Sequence, residues 1–352
     1  MASARFGSKT LASTSLSLLI LLVAFLAIRP RFSDGRLRLP HHHVLTSTEV
    51  QSLPVGVIPV VLGRGLGDTA DDFESKLLQM VMERSGLPFA FGLTSEHISQ
   101  DAAIEALASG ASFGEKNPYA ITVGSFGAGP SLSAKLRAVP VPISGGLLGL
   151  RAGWTHKDKL PELKSIGNLR DLRSITLLQG HGWSELDIFD AAGLRTYETN
   201  ANNMIRLINT KRVDLLPQGI AELQSEEPIV KAVSENIVID PSLLIVYPHA
   251  VFFYVSPGND RLAGAIQKGF DEIIADGSYQ KLLESDVYTP WLREHLALSE
   301  RRVIFVPNPD AVRGLDAVEP RYWIVPWSQF ADGEITNGSQ LCEFAALRGL
   351  CE

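Results

Sequence analysis

From residue 55 onward, short apolar runs bounded by glycine alternate with segments whose apolar residues recur at helical spacing, and this alternation restricts the chain to an α/β fold. Residues 55–63 (VGVIPVVLG) read as a strand buried on both faces, with Pro59 an unusual guest inside it. Phe73, Leu77 and Val81 then fall on one helical face within 69–86, and Gly86 with Pro88 closes that helix. A strand at 89–92 and a helix around 101–108 follow. Strands alternating with helices of this length predict parallel, doubly wound sheets, whose ligands sit at the carboxyl ends of the strands. Arg64 and the turn 65–68 stand at such an end. Residues 119–129 (YAITVGSFGAG) repeat the strand-into-glycine pattern, which suits a Ser125 hydroxyl aimed into a cleft and a solvated loop serine alike.

The stretch 177–223 carries the clearest binding signal. An apolar strand runs into Gly180-His181-Gly182, where glycine allows backbone angles closed to other residues, and Ser184 with Asp187 then makes an N-cap signature. Free amides and the positive end of a helix dipole gather at such a turn, which suits an anion such as a carboxylate or phosphate. Trp183 beside His181 offers an aromatic wall and a hydrogen-bond donor, although both residues equally suit local packing. Asp214, set between apolar residues in RVDLL, calls for backbone N–H partners. Residues 139–154 (VPVPISGGLLGLRAGW) hold two prolines and four glycines, as expected of an extended passage from one domain to another. Arg151, just past it, is within reach of a bound anion or else exposed at a strand end.

The order strand, Gly-x-Gly, helix, strand, helix, Arg212-Val213-Asp214, strand resembles the second lobe of bacterial extracellular solute-binding proteins of family 3. These are the type II periplasmic binding proteins of amino-acid transporters. LAGAIQKGFDEIIADGSYQKLLES at 262–285 resembles the closing element of the same family, and GLLGLR, GHGWSELDIFDAAGL, KRVDLLPQGIAEL, YPHAVFFYV and RRVIFVPNP look like an uncharacterised branch of it. The resemblance implies an α/β, two-lobed type II periplasmic binding protein fold with two hinge crossovers, each lobe a doubly wound sheet. The implied division is 1–28 signal peptide or membrane anchor, 29–53 linker, 54–145 first part of lobe 1, 146–249 lobe 2, 250–330 return to lobe 1 with an extension, and 331–352 tail. A small solute is expected between the lobes, against Gly180, His181, Gly182, Trp183 and Ser184, with Arg151, Gln218, Ser125 and Arg64 completing the lining.

This chain departs from the amino-acid branch in two places and from the uncharacterised branch in a third. The family's ammonium-binding aspartate falls on Gly219, no arginine aligns with its carboxylate-binding arginine (Arg137 is displaced), and Pro217-Gln218-Gly219 replaces Pro-Arg-Gly. A dehydrated zwitterion needs both charges paired. The departures therefore predict a small polar or anionic solute, amino-acid-like or a carboxylate, held by other groups.

Residues 11–28 (LASTSLSLLILLVAFLAI) form one apolar run after Arg5 and Lys9, a length that suits a removed signal and a retained membrane anchor equally. The expected location is the periplasm, free or tethered at the inner membrane, and the expected partner is an ABC transporter permease or, for a tethered chain, a separate sensor kinase. A net charge of −7 argues against nucleic acid. HExxH, GxSxG, Walker and CxxC motifs are missing from the sequence, so neither catalysis nor a cofactor is expected. The alternative, a cyclohexadienyl-type dehydratase on the same fold, would need a general acid, for which Glu185 and His181 are the candidates. His41, His42 and His43 lie in an extended linker that cannot fix metal geometry. Cys342 and Cys351 would stand about 13 Å apart on a continuous helix, too far to bridge, but Gly349 can turn the chain back.

Overall fold

The computed structural model describes residues 44–64, 71–308, 315 and 317–351, with the backbone of 32–33 and 36–37. The apolar run 11–28, the histidines 41–43 and the turn 65–68 lie outside the described residues, among which no helix is long and apolar enough to cross a membrane.

The first lobe opens with β1 (Ile58–Arg64), α1 (Phe73–Ser85), β2 (Phe89–His97), α2 (Gln100–Ala108), β3 (Val123–Gly127) and β4 (Arg137–Val139). The second contains β5 (Leu150–His156), β6 (Thr176–Gly180), α3 (Glu185–Ala191), β7 (Arg195–Thr199), α4 (Ala201–Asn209), β8 (Leu216–Gly219), α5 (Leu223–Val233), β9 (Ile237–Ile239) and β10 (Leu243–Val246). The chain returns through β11 (Val251–Val255) and α6 (Asp260–Ala275), continues as α7 (Ser278–Asp286) and α8 (Pro290–Leu296), and enters β12 (Arg302–Phe305).

Each lobe has its own five-stranded sheet. The first runs β2-β1-β3-β11-β4, so the returning strand completes a sheet begun almost two hundred residues earlier. The second is built around β5, flanked by β8 and β10, with β9 also on β5 and β12 beyond β10. The strands β6 and β7 pair parallel alongside it. Both sheets are mixed. The pairs β1–β2 and β1–β3 are parallel, because helices carry the chain back between them, whereas β5 and β11, which enter from the crossovers, run antiparallel to their neighbours. Pro59 is tolerated in β1 because Thr122 completes the ladder beside it: its hydroxyl accepts from Val61 N at 2.8 Å and donates to Pro59 O at 3.1 Å.

The crossovers run side by side. Ile143 N donates to Val251 O at 2.9 Å and Tyr247 N donates to Gly149 O at 3.1 Å, so each segment satisfies the other's backbone between the lobes. Residues 44–53, expected as the end of an extended linker, are instead docked on the first lobe. Thr46 and Glu49 form a capping box over helix Ser47–Gln51, and Leu45 and Val50 are buried against Val61 and Ala90.

Candidate functional site

Where the lobes face each other they enclose a cleft of about 550 Å³. One wall comes from the end of β3 and the segment after it, Gly127–Leu132 with Lys135. The other comes from Gly182–Glu185, Arg151, Gln218 and Glu222, and the second crossover at Pro248–Val251 closes the base. The lobes approach closely here: a Cβ on Gly127 would stand 2.8 Å from Ser184 Oγ. Only a residue without a side chain lets β3 come this near the opposing turn.

The floor of the cleft is ionic. Arg151 reaches inward from β5 and is 3% exposed; its Nη2 lies 2.6 Å from Glu185 Oε1 and its Nη1 3.4 Å from Glu222 Oε2. Glu222 also accepts Gly219 N at 2.8 Å, and with 44% of its side chain exposed it opens into the cleft. Behind it Glu226 accepts from Trp154 Nε1 at 2.7 Å and from Gln218 Nε2. Burial and the adjacent Glu222 carboxylate push Glu226 up to about 7. Burial also raises Glu222. Glu185 goes the other way: burial alone would raise it, but the Arg151 guanidinium beside it keeps it below the usual carboxylate range. His249, packed edge-on to Tyr247 at the base, is pushed by burial down to about 4 against the pull of Glu185, so it is a neutral imidazole at pH 7.

Gly182, Trp183, Ser184, Arg151 and Gln218 line the cleft, whereas Gly180, His181, Ser125 and Arg64 are not part of its lining. Gly180 ends β6, and its role is steric: a Cβ there would meet the Trp183 ring at 2.2 Å. Positive φ belongs to Gly182, at 76°. His181 is exposed and pairs with Glu198 on β7. Ser125 lies in the middle of β3 opposite Phe253, and Arg64 O accepts Ile98 N at 3.1 Å at the far end of β1.

The anion-receiving turn read from sequence takes a different form. Ser184 sits at the N-cap of α3 but makes no capping bond, and its hydroxyl donates instead to Glu185 Oε2 at 3.2 Å. Glu185 and Asp187 occupy the first turn, so the chain's own carboxylates meet the positive end of this seven-residue helix. Asp214 is held as its setting required, accepting Thr176 N at 2.7 Å and pairing with Lys159 at 2.7 Å. Cys342 and Cys351 form a disulfide.

Of the two general-acid candidates, Glu185 lines the cleft and His181 lies outside its lining. Glu185 is paired with Arg151, which keeps it below the usual carboxylate range, and His181 is exposed and pairs with Glu198. Glu222, Glu226, Tyr247 and His249 were missed as site residues. The spacing of Glu222 and Glu226 was the available signal, since residues four apart stack on one face where the chain turns helical; Gln218 lies in strand β8 and joins them only through the fold.

No protein-family model matches this chain, and no curated protein matches it. Among solved structures it is similar to an ancestral arginine-binding protein bound to arginine, at 20% identity over 65% of this chain and 97% of that one, with a TM-score of 0.46. It is similar to an amino-acid ABC transporter substrate-binding protein from Streptococcus pneumoniae bound to L-arginine, at 14% identity over 70% and 98%, TM-score 0.44. It is also similar to a histidine kinase sensor domain with similarity to periplasmic binding proteins, at 14% identity over 65% and 95%, TM-score 0.45. The chain's own topology, two mixed α/β lobes joined by paired crossovers around a cleft, is the two-lobed type II periplasmic binding fold.

Proposed function

We propose that this chain is an extracytoplasmic solute-binding protein that captures a small polar solute between its lobes without transforming it, and hands it to an ABC-type transporter. The observation that carries the reading is the cleft itself: about 550 Å³, walled by both lobes, with Gly127 facing Ser184 across it too closely for a side chain and Glu222, its side chain 44% exposed, on its floor. A polar solute is favoured over a bare anion. Arg151 already carries two carboxylates, and Lys135 offers positive charge only from the exposed opposite wall, so an incoming carboxylate would join an acidic surface. Export is supported by the apolar run 11–28 and by the Cys342–Cys351 disulfide, which persists in an oxidising compartment.

Isothermal titration of the protein against arginine, glutamine, glucose and succinate tests this reading. Heat is expected from a neutral or cation-bearing solute and not from succinate, and Gly127→Phe, which fills the space facing Ser184, abolishes it. Binding that survives Gly127→Phe places the solute elsewhere, and turnover of a bound solute contradicts the non-catalytic part.

A further inference from the structure

The two crossovers are not the only connections between the lobes. After α6 the chain runs through α7 and α8 into β12, which pairs parallel with β10 in the second sheet. There Arg301 is fully buried, with Nη1 donating to Leu243 O at 2.6 Å. Residues 336–338 return along the outer edge of this strand, Val303 N donating to Thr336 O at 3.0 Å and Gly338 N to Arg301 O at 2.8 Å. Between these anchors the chain reaches the first lobe, where Tyr322 OH accepts from Gln267 Nε2 at 2.7 Å and donates to Asp271, both on α6. The segment 320–338 is thus tied to both lobes.

Its middle lies on the crossovers themselves. Ile324 N donates to Gly145 O at 3.0 Å. Gly145 and Gly146 have φ of 59° and 95°, and a Cβ on them would meet Ile324 at 2.7 Å and Trp323 at 3.0 Å. A Cβ on Gly149 would meet Trp327 Cη2 at 2.5 Å and Tyr247 O at 2.3 Å, so the Trp327 indole sits where the two crossovers touch. Trp323 packs edge-on against Trp327, whose ring also meets buried Phe330. Hinge opening needs a few backbone dihedrals to rotate freely. Here the flexible glycines of the first crossover are covered by two tryptophans and an isoleucine, and any rotation must slide them out of contact.

We infer that the C-terminal segment around Trp323, Ile324 and Trp327 is a strap that locks the interlobe hinge and holds the lobes closed without solute. Opening then requires the strap to lift from Gly145–Gly149. This goes beyond solute capture and is tested without any solute.

Nitroxide labels on Glu105→Cys in α2 and Asp190→Cys in α3, both exposed, report the interlobe distance by double electron–electron resonance; the two native cysteines are joined to each other and take no label. The parent chain is expected to give one narrow distance, and Trp327→Ala and Ile324→Ala to add a population several ångströms longer while far-UV circular dichroism stays native. If Trp327→Ala fails to fold, Ile324→Ala, a smaller cut at the same contact, decides. A parent that already populates a longer distance, or folded variants that keep the parent distribution, overturns the inference.

Discussion

Nη2 of Arg151 stands 2.6 Å from Oε1 of Glu185, and the two side chains are 3% and 9% exposed. The pair joins β5, just past the first crossover, to the first turn of α3, and so fixes the floor of the cleft to the turn that faces the other lobe. A buried pair of this kind is costly to break from one side, because the remaining charge stays desolvated.

Arg151→Met is therefore expected to lower unfolding stability by about 3–5 kcal/mol. Arg151→Met with Glu185→Leu should recover more than half of the loss, because the carboxylate then left without Arg151, Glu222, has 44% of its side chain exposed. Urea denaturation of the parent and both variants measures this. A single variant within about 1 kcal/mol of the parent would show that the pair is not desolvated as described.

The second expectation concerns pH. Glu226 has its folded value raised from 4.5 to about 7, so between those pH values the folded state keeps a proton that the unfolded chain has lost. The stability contributed by this group is complete below about 4.5 and is lost as pH rises to about 7, with a slope of up to about 1.4 kcal/mol per pH unit. His249, lowered from 6.5 to about 4, works with the opposite sign: its contribution is present above 6.5 and is lost as pH falls toward 4. The diagnostic quantity is thus the difference between parent and Glu226→Gln, which should fall steadily across pH 4.5–7. A difference independent of pH over that window would refute the assignment.

Gly180 and Gly182, two positions apart, separate sterics from backbone conformation. Gly180→Ala puts a methyl 2.2 Å from the Trp183 ring and is expected to cost about 1–3 kcal/mol and to shift tryptophan emission as the indole moves. Gly182→Ala, with φ at 76° and open space around it, is expected to cost about 1–2 kcal/mol with emission unchanged. Thermal unfolding and fluorescence on the two variants distinguish these cases. Equal emission shifts in both would remove the steric role given to Gly180.

Much of the architecture was legible because it is written in local periodicity. The run 55–63 became β1 at Ile58–Arg64, the helical face of Phe73, Leu77 and Val81 became α1, and Gly86 closed it in the left-handed conformation. The family resemblance implied a return at 250–330, and β11 at Val251–Val255 pairs with β3 in the first sheet. Asp214 was legible as well, because an aspartate between apolar neighbours has few stable settings other than a backbone N–H.

The site was less legible, for a physical reason. Arg151, Glu185 and Glu222 are 34 and 71 positions apart in the pairs they form, and no spacing rule links residues on different elements. Gly219 reads as an uncharged position in sequence, yet its amide is met at 2.8 Å by the Glu222 carboxylate from the next turn. Within the extension that ends at 330, only packing sets Trp323 and Trp327 over glycines nearly 180 positions earlier.

The sequence by itself determined the alternation of strands and helices and the place of the glycine-rich turn, since each depends on residues within a few positions of one another. Only the tertiary structure decided that the turn's charge is met by Glu185, that the cleft floor is acidic, and that the C-terminal segment covers the hinge. Those outcomes depend on which groups burial brings together, and burial is a property of the assembled lobes rather than of any local stretch.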